Sequence, residues 1–250
     1  MHPELFGFIK SYGLMLDLSF VLGIWLCVRR GRNRGLSTDT VLAFSFAVLV
    51  ASLVGVRLFY VVTHWEQFVP WYRAFYIWDG GLTLYGGILL ATATVWWMAR
   101  RRKISFLTMA DVMAPAVALG IGITRIGCFL SGCCFGCPTS LPWGITFPST
   151  SAAGTHFPGQ HIHPTQLYSS AGGFLVFGLL LLLERRSSPI GATFGRFLLL
   201  YGVVRFSIEF LRYHDVQAMS ALGLSDSQWI SLGLMACGSL LLLFLARRRS

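Results

Sequence analysis

Long apolar segments separated by short polar stretches recur along the whole chain. Each holds about 17 to 23 residues, and an α-helix needs about 20 to cross the hydrocarbon core of a bilayer. The segments cover residues 12–28, 41–63, 82–99, 108–130, 167–183, 193–211 and 228–246. The pattern predicts an all-α polytopic membrane protein with seven transmembrane helices, and a single membrane domain over residues 1–250.

Basic residues are concentrated in four short clusters between or after these segments. The clusters are Arg29 to Arg34, Arg100 to Lys103, Arg185 with Arg186, and Arg247 to Arg249. Loops rich in Lys and Arg stay in the cytoplasm, and seven spans place all four clusters on one side. We therefore expect the N-terminus outside and the C-terminus in the cytoplasm. Because the basic residues follow the topology, the net charge of +10 does not indicate a nucleic-acid partner.

Two stretches between spans are predicted on the outer side. Residues 66–79 are crowded with aromatic side chains and predict an arm lying in the headgroup layer, although an ordinary aromatic belt at span ends explains them equally well. Residues 137–164 contain many prolines and glycines, which exclude long regular elements. They predict a small cap built of turns and short strands.

With 55% apolar and 12% charged residues, the chain places few ionisable groups inside its spans. Arg57, Arg125 and Arg205 stand out, since a guanidinium in a bilayer needs a partner or a function. Arg205, Glu209 and Arg212 share one helical face and form either an ion-pair ladder or part of a binding site. Two converging arginines favour an anion, and the abundant anion in a bilayer is a lipid phosphate.

Four cysteines form the pattern C-x4-C-C-x2-C at residues 128, 133, 134 and 137. The spacing matches no standard zinc or iron–sulfur motif, so we predict no metal and no cofactor. The thiols pack as small apolar groups, or one pair forms a disulfide on the oxidising side. His163, at the start of the fifth span, is either a solvated residue or a proton-transfer group beside a phosphate site.

In their order and topology, these residues resemble the prolipoprotein diacylglyceryl transferases of bacterial inner membranes, and a cysteine-rich branch in particular. The resemblance covers nearly the whole chain and rests on short motifs spread along it. They are Tyr12-Gly-Leu-Met15, Val56-Arg57-Leu58, Asp79-Gly-Gly-Leu82 with Gly86-Gly87, Asp111 with Pro115, Arg125-Ile-Gly-Cys-Phe129 through Gly136, His163-Pro-Thr-Gln-Leu-Tyr168, and Tyr201-Gly-Val-Val-Arg-Phe206 with Glu209 and Arg212.

The resemblance implies a multi-pass inner-membrane enzyme with a periplasmic N-terminus, arm, cap and active site. It implies transfer of the sn-1,2-diacylglyceryl group of phosphatidylglycerol to the lipobox cysteine of a prolipoprotein signal peptide, the first step of lipoprotein maturation. Arg125 and Arg205 would hold the phosphate. The other lipid contacts would be Tyr12, Arg57, Cys128, Gly136 and Glu209, and Tyr85 and His163 would join the catalytic group.

The chain departs from the better-studied branch of that family at four positions. Tyr85 stands in place of a histidine, Cys128 in place of an asparagine, and Cys133 and Ser169 each in place of a glutamate. Two alternatives to an active transferase follow. One is a catalytically inactive paralogue that binds phosphatidylglycerol or prolipoprotein, and the other is a membrane redox or metal protein that uses the cysteine cluster.

Overall fold

The computed structural model describes residues 4–5, 9–68, 72, 76, 83–184, 188–214 and 223–248. In these residues it contains eight α-helices, and a short antiparallel pair of strands, β1 (Glu4–Leu5) and β2 (Ile9–Lys10). The helices are α1 (Ser11–Asn33), α2 (Thr38–Thr63), α3 (Leu84–Arg101), α4 (Phe106–Ser131), α5 (Ala152–His156), α6 (Thr165–Glu184), α7 (Ala192–Glu209) and α8 (Asp226–Arg247).

Each predicted span overlaps one long helix, and five of these helices are long and apolar enough to cross a membrane: α1, α2, α4, α6 and α8. Helices α3 and α7 are not long and apolar enough to meet this criterion. Both have 18 residues, and α7 carries Arg196, Arg205 and Glu209. The all-helical membrane architecture is therefore confirmed, while the count of seven spans and the orientation of the termini stay predictions. Of the predicted arm, only residues 66–68, 72 and 76 are described.

The chain divides into two compact units, and residues 27–109 form the contiguous one. Ser37 caps α2 by accepting a 3.2 Å hydrogen bond from the backbone N–H of Thr40. Helices α2 and α3 approach closely where Gly55 meets Gly86, since a Cβ atom on either glycine would overlap the carbonyl of the other. Glycine at this crossing is therefore required for the two backbones to touch.

The other unit contains residues 1–26 and 110–250. Its apolar core joins α4, α6 and α7 through buried side chains that alternate small and large. They are Ala114, Ala118, Val176, Leu180 and Phe197. The two alanines let α6 and α7 approach α4 closely, so the polar groups at the far ends of these helices are held on a rigid frame.

A buried carboxylate fixes where α7 begins. Asp111 of α4 is fully buried, and its two oxygens accept 2.8 Å hydrogen bonds from the backbone N–H groups of Gly191 and Phe194. The first N–H groups of a helix lack intrahelical partners, and Gly191, with φ 96°, has no capping side chain of its own. Asp111 therefore caps α7 from a neighbouring helix.

Residues 137–164, the predicted cap, consist of turns, isolated β-bridges and the short helix α5. Phe147, Ala153 and Ile162 are buried together, and Ile145 pairs with Ile162 in an antiparallel bridge. The N–H of Ala153 donates to the carbonyl of Gly132, just after α4. This small apolar cluster therefore packs against the end of α4, the helix that carries Arg125 and Cys128.

Candidate active site

A tight turn follows α4 and sets the direction of three cysteines. Gly132 and Cys134 both have left-handed backbones, with φ 69° and 57°. The N–H of Cys133 bonds the carbonyl of Cys128 at 3.1 Å and closes the end of the helix. Two side chains at the start of α6 hold the turn from outside: Thr165 Oγ1 donates to the carbonyl of Cys134 at 2.9 Å, and Gln166 Nε2 to that of Cys133 at 2.7 Å.

The turn brings three thiols together, because the sulfur atoms of Cys128, Cys133 and Cys134 all lie within 4.8 Å of one another. Arg125 lies nearly one helical turn before Cys128, and its positive charge acts on the sulfur of Cys134. All six cysteines of the chain are free in this structure, so the predicted alternative of a disulfide is not formed here.

The thiols beyond the end of α4 differ in acidity. Hydrogen bonds from the thiols of Cys128 and Cys133, and the charges of Arg212 and Arg125, lower the pKa of the Cys134 thiol. Hydrogen bonds to Cys128 and Cys134 raise the pKa of the Cys133 thiol, and burial raises that of Cys137. Cys134 is therefore the thiol that most readily carries negative charge.

Glu209, at the end of α7, is the centre of a second cluster. Its carboxylate is buried and lies 2.5 Å from Arg205 Nη1, 4.0 Å from Arg212 Nη1 and 3.2 Å from His214 Nε2. Ser225 Oγ donates to it at 3.0 Å. The predicted common helical face is confirmed for Arg205 and Glu209, whereas the prediction is wrong for Arg212. That residue lies beyond the end of α7 in a bridge with Gly136, and only its side chain reaches Glu209. However, the single negative charge of Glu209 faces the two positive charges of Arg205 and Arg212, so this group of residues keeps a net positive charge.

The start of α8 completes this cluster, and the sequence analysis did not include it. Ser225 and Gln228 form a reciprocal capping box at the start of α8, and Ser227 Oγ accepts a 3.0 Å hydrogen bond from Arg205 Nη2. The signal was present as Ser-x-x-Gln immediately before an apolar run. These serines orient both Glu209 and Arg205.

The two clusters belong to one site. The charges of Arg125 and Arg205 act on each other, and both guanidiniums interact with Tyr201. Tyr12 of α1 interacts with Arg125 and with the three clustered cysteines. The structure therefore brings together the two arginines that the sequence singled out. They share a neighbourhood in which positive charge exceeds the single charge of Glu209.

Gly136 joins three segments at this site. It pairs with Arg212 in an antiparallel bridge, and its N–H donates to the carbonyl of His163 at 3.1 Å. A Cβ atom at this position would lie 2.6 Å from the carbonyl oxygen of Leu211 and 2.7 Å from that of His163. No side chain fits there, so glycine lets the turn after α4 close onto the end of α7.

The ring of His163 is held by a short chain of hydrogen bonds. Its Nδ1 lies 3.3 Å from the hydroxyl of Tyr168, which accepts a 2.9 Å hydrogen bond from Trp143 Nε1. His163 is partly buried, and its backbone touches Gly136. The histidine therefore stands beside the segment that carries the clustered cysteines.

Two other predicted site residues, Tyr85 and Arg57, lie in the unit of residues 27–109. Tyr85 is in the first turn of α3, with 38% of its surface exposed. Arg57 is buried in α2, and its guanidinium carbon lies 5.2 Å from the centre of the Phe68 ring. The contacts described above among Arg205, Glu209 and their neighbours all lie within the other unit.

Comparisons with known proteins identify the family of this chain. A family model described as prolipoprotein diacylglyceryl transferase matches residues 4–244. A phosphatidylglycerol–prolipoprotein diacylglyceryl transferase of Clostridium tetani is 34% identical over 92% of this chain and 90% of its own length. Proteins with the same name from Nitratidesulfovibrio vulgaris and Geobacter sulfurreducens are 35% and 32% identical. These alignments cover 94% and 96% of this chain, and 87% and 92% of the relatives.

Proposed function

The chain belongs to the prolipoprotein diacylglyceryl transferase family, and from this premise we propose that it transfers the diacylglyceryl group of phosphatidylglycerol to the lipobox cysteine of a prolipoprotein. The substrate sulfur forms a thioether with the glyceryl carbon. The carbon–oxygen bond to phosphate breaks, and sn-glycerol 1-phosphate leaves with the bonding electrons. The observation that carries the proposal is that Arg125 and Arg205 lie close enough for their charges to act on each other, with Tyr201 interacting with both.

Charge development explains why two arginines suit this reaction. The phosphodiester of the lipid is a monoanion, and the departing phosphate monoester tends toward a dianion. Negative charge therefore grows on the phosphate in the transition state. Two guanidiniums held in place beforehand stabilise that growing charge more than they stabilise the bound lipid, and this difference accelerates the reaction.

The remaining predicted residues take supporting roles in the proposal. Glu209 orients Arg205, and Gly136 shapes the turn that carries the cysteines. Tyr12 and Cys128 line the lipid headgroup beside Arg125, with which both interact. Arg57 is assigned to phosphatidylglycerol as well, on the family resemblance rather than on a contact in the structure.

The attacking thiol must lose a proton, and its reference pKa of about 8.5 leaves only a few per cent ionised at neutral pH. We assign Tyr85 to headgroup orientation, and His163 or water to proton acceptance. A Tyr85→Phe enzyme should keep part of its turnover, whereas His163→Gln should shift the pH–rate profile. Full turnover in Tyr85→Phe would remove Tyr85 from the site, and an unchanged profile in His163→Gln would leave water as the acceptor.

The proposed setting is a bacterial inner membrane crossed seven times, with the N-terminus and the active site on the periplasmic side. Its support is the agreement of the basic clusters with the positions of the seven long helices. Reporter-enzyme fusions after Asn33, Arg101 and Arg247 should all report the cytoplasm. A periplasmic report from any of them would overturn this topology.

The test of function is a mass-spectrometric assay of the purified chain in detergent with phosphatidylglycerol and a synthetic lipobox peptide. We expect a diacylglyceryl mass gain on the peptide cysteine. Arg205→Ala should lower the rate by about 2–4 kcal/mol of transition-state stabilisation, or roughly 30- to 1000-fold. Arg196→Ala is the matched control, since Arg196 lies on the same helix but bonds Ser188. Lipid binding without transfer would instead favour an inactive paralogue.

A further inference from the structure

The cysteines next to Arg125 have a geometry that the sequence spacing does not show. Tetrahedral zinc–thiolate bonds of about 2.3 Å place neighbouring sulfur atoms roughly 3.8 Å apart. The three sulfur atoms of Cys128, Cys133 and Cys134 lie within 4.8 Å of one another, so shifts of about an ångström or less would bring them around one ion. Three thiols at this separation are poorly explained by apolar packing alone.

The convergence depends on backbone geometry. Neighbouring side chains usually point apart, yet Cys133 and Cys134 contribute to one cluster because Cys134 adopts φ 57° after a left-handed Gly132. The fourth cysteine of the sequence pattern does not join them. Cys137 directs its thiol to the carbonyl of Arg212 at 3.5 Å. The structure thus selects three thiols from a run of four.

Hydrogen bonds from neighbouring residues hold the backbone that carries the three thiols, as is usual around metal ligands. The carbonyls of Cys133 and Cys134 are held by Gln166 and Thr165, and the N–H of Cys133 is held by Cys128. Such contacts fix the ligands before any ion arrives. Cys128 is buried while Cys133 and Cys134 are partly exposed, which leaves one side of the cluster open.

Charge balance also fits a bound cation. Three thiolates and one Zn²⁺ carry a single net negative charge, and Arg125, whose charge acts on the sulfur of Cys134, supplies the compensating positive charge. Arginine donors to a thiolate sulfur reduce its charge without occupying its coordination position. The guanidinium that serves the phosphate can therefore also balance the ion.

We propose that Cys128, Cys133 and Cys134 form a three-thiolate site for a thiophilic ion such as Zn²⁺, and that its fourth position takes the substrate thiol. The second half of this proposal rests on the proposed transferase function. Catalytic zinc sites keep three protein ligands and one exchangeable position. A thiol that coordinates zinc is held as thiolate, which is the nucleophilic form.

The step balances without a redox partner. On coordination, the substrate thiol releases its proton to solvent. Its sulfur then attacks the glyceryl carbon as the carbon–oxygen bond breaks, and the electron pair of that bond leaves with glycerol phosphate. The product is a neutral thioether, which binds zinc more weakly than a thiolate does. It leaves the fourth position to the next substrate.

The first test measures metal binding apart from transfer. The full chain in detergent is reduced, freed of metal with a chelator and titrated with Co²⁺ as a spectroscopic probe. We expect one ion per chain, with thiolate-to-cobalt charge-transfer absorption, that Zn²⁺ displaces. Cys133→Ser should weaken binding by about 10-fold or more, while the control Cys137→Ser should not. Absence of the charge-transfer band in the reduced wild type would overturn the site.

X-ray absorption of the zinc-loaded wild type gives the ligand count without any variant. We expect three or four sulfur neighbours at about 2.3 Å. A shell of oxygen and nitrogen alone would overturn the three-thiolate site, even if Cys133→Ser failed to fold.

The second test addresses the fourth position. With phosphatidylglycerol omitted, a lipobox peptide should intensify the charge-transfer band of the cobalt-loaded chain, whereas the same peptide with serine in place of cysteine should not. If the cysteine peptide left the charge-transfer band of the cobalt-loaded chain unchanged, the substrate thiol would not occupy the fourth position. Arg205→Ala should bind Co²⁺ like the wild type, so a failed transferase and a failed metal site give different results.

Discussion

The carboxylate of Asp111, on α4, accepts a 2.8 Å hydrogen bond from the backbone N–H of Gly191, which precedes α7. Asp111→Ala would leave this N–H and that of Phe194 buried without the acceptor they now use. We expect the free energy of unfolding to fall by about 1–3 kcal/mol, measured as a lower melting temperature in detergent.

An amide can replace part of this cap, so Asp111→Asn should lose less stability than Asp111→Ala. Asp226→Asn is the control, because Asp226 is exposed in the first turn of α8 and contributes a few tenths of a kcal/mol. Equal melting temperatures for wild type and Asp111→Ala would contradict the capping role.

Glu209 holds Arg205 at 2.5 Å, and Glu209→Gln should therefore reduce transfer. The loss should be about 2–3 kcal/mol, or near a hundredfold, in kcat. The KM for phosphatidylglycerol should not rise, since removing the carboxylate leaves more positive charge for the ground-state phosphate. Steady-state kinetics separate the two quantities.

Ser225→Ala offers a milder comparison at the same carboxylate, because it leaves the ion pairs of Glu209 in place. It removes the 3.0 Å hydrogen bond to Glu209 and the capping hydrogen bond that Ser225 Oγ accepts from the N–H of Gln228. Ser225→Ala should lower the transition-state stabilisation by about 1 kcal/mol. If Glu209→Gln raised KM and left kcat unchanged, Glu209 would be a lipid-binding residue rather than the group that orients Arg205.

Gly136→Ala should damage both folding and transfer, because the added methyl group would lie 2.6 Å from the backbone oxygen of Leu211. Backbone cannot move aside as a side chain can, so we expect about 1–3 kcal/mol of destabilisation. Thermal unfolding in detergent and the peptide assay measure the two effects. Gly178→Ala, in α6, meets no atom within 4 Å and should be neutral or stabilising.

Alkylation should distinguish Cys134 from Cys137 in the reduced, metal-free chain. The pKa of Cys134 is lowered, so a larger fraction of this thiol is ionised at pH 7 than of an ordinary cysteine, whose pKa is about 8.5, and its thiolate persists to lower pH. The pKa of Cys137 is raised, so a smaller fraction of this thiol is ionised at the same pH. Iodoacetamide with peptide mapping should label Cys134 first at pH 7.

Arg212→Ala should shift the labelling of Cys134 toward higher pH, because one of the charges that stabilise its thiolate is removed. Labelling of Cys137 should not change. Faster modification of Cys137 than of Cys134 at pH 7 would contradict the assigned order of acidities.

Hydropathy located the long helices but not all of their ends. The first span was predicted over residues 12–28, whereas α1 runs from Ser11 to Asn33. The length of an apolar segment reflects the thickness of the membrane, whereas a helix extends as far as its backbone hydrogen bonds continue. In α1 those hydrogen bonds continue beyond the apolar segment, through Arg29 to Arg32. The spacing of Arg205 and Glu209 predicted their contact because both lie on one regular helix.

The arrangement of the cysteines could not be predicted in the same way. It depends on a left-handed backbone at Cys134, a residue type that rarely adopts one, and on side chains of α6 more than thirty positions away. Likewise, the closure of Gly136 onto Leu211 joins segments that are distant in sequence. Local patterns carry no information about such contacts.

The first part of α1 belongs to the unit completed by residues 110–250, and residues 27–109 come between them. Ser19 of α1, for instance, accepts a 3.4 Å hydrogen bond from Thr124 of α4. At about 5–20 residues per second, synthesis of the intervening stretch takes roughly 4 to 17 seconds. During biosynthesis, therefore, the first part of α1 lies in the bilayer for several seconds without the helix it later packs against. The contact between Ser19 and Thr124 forms only after α4 has emerged from the ribosome.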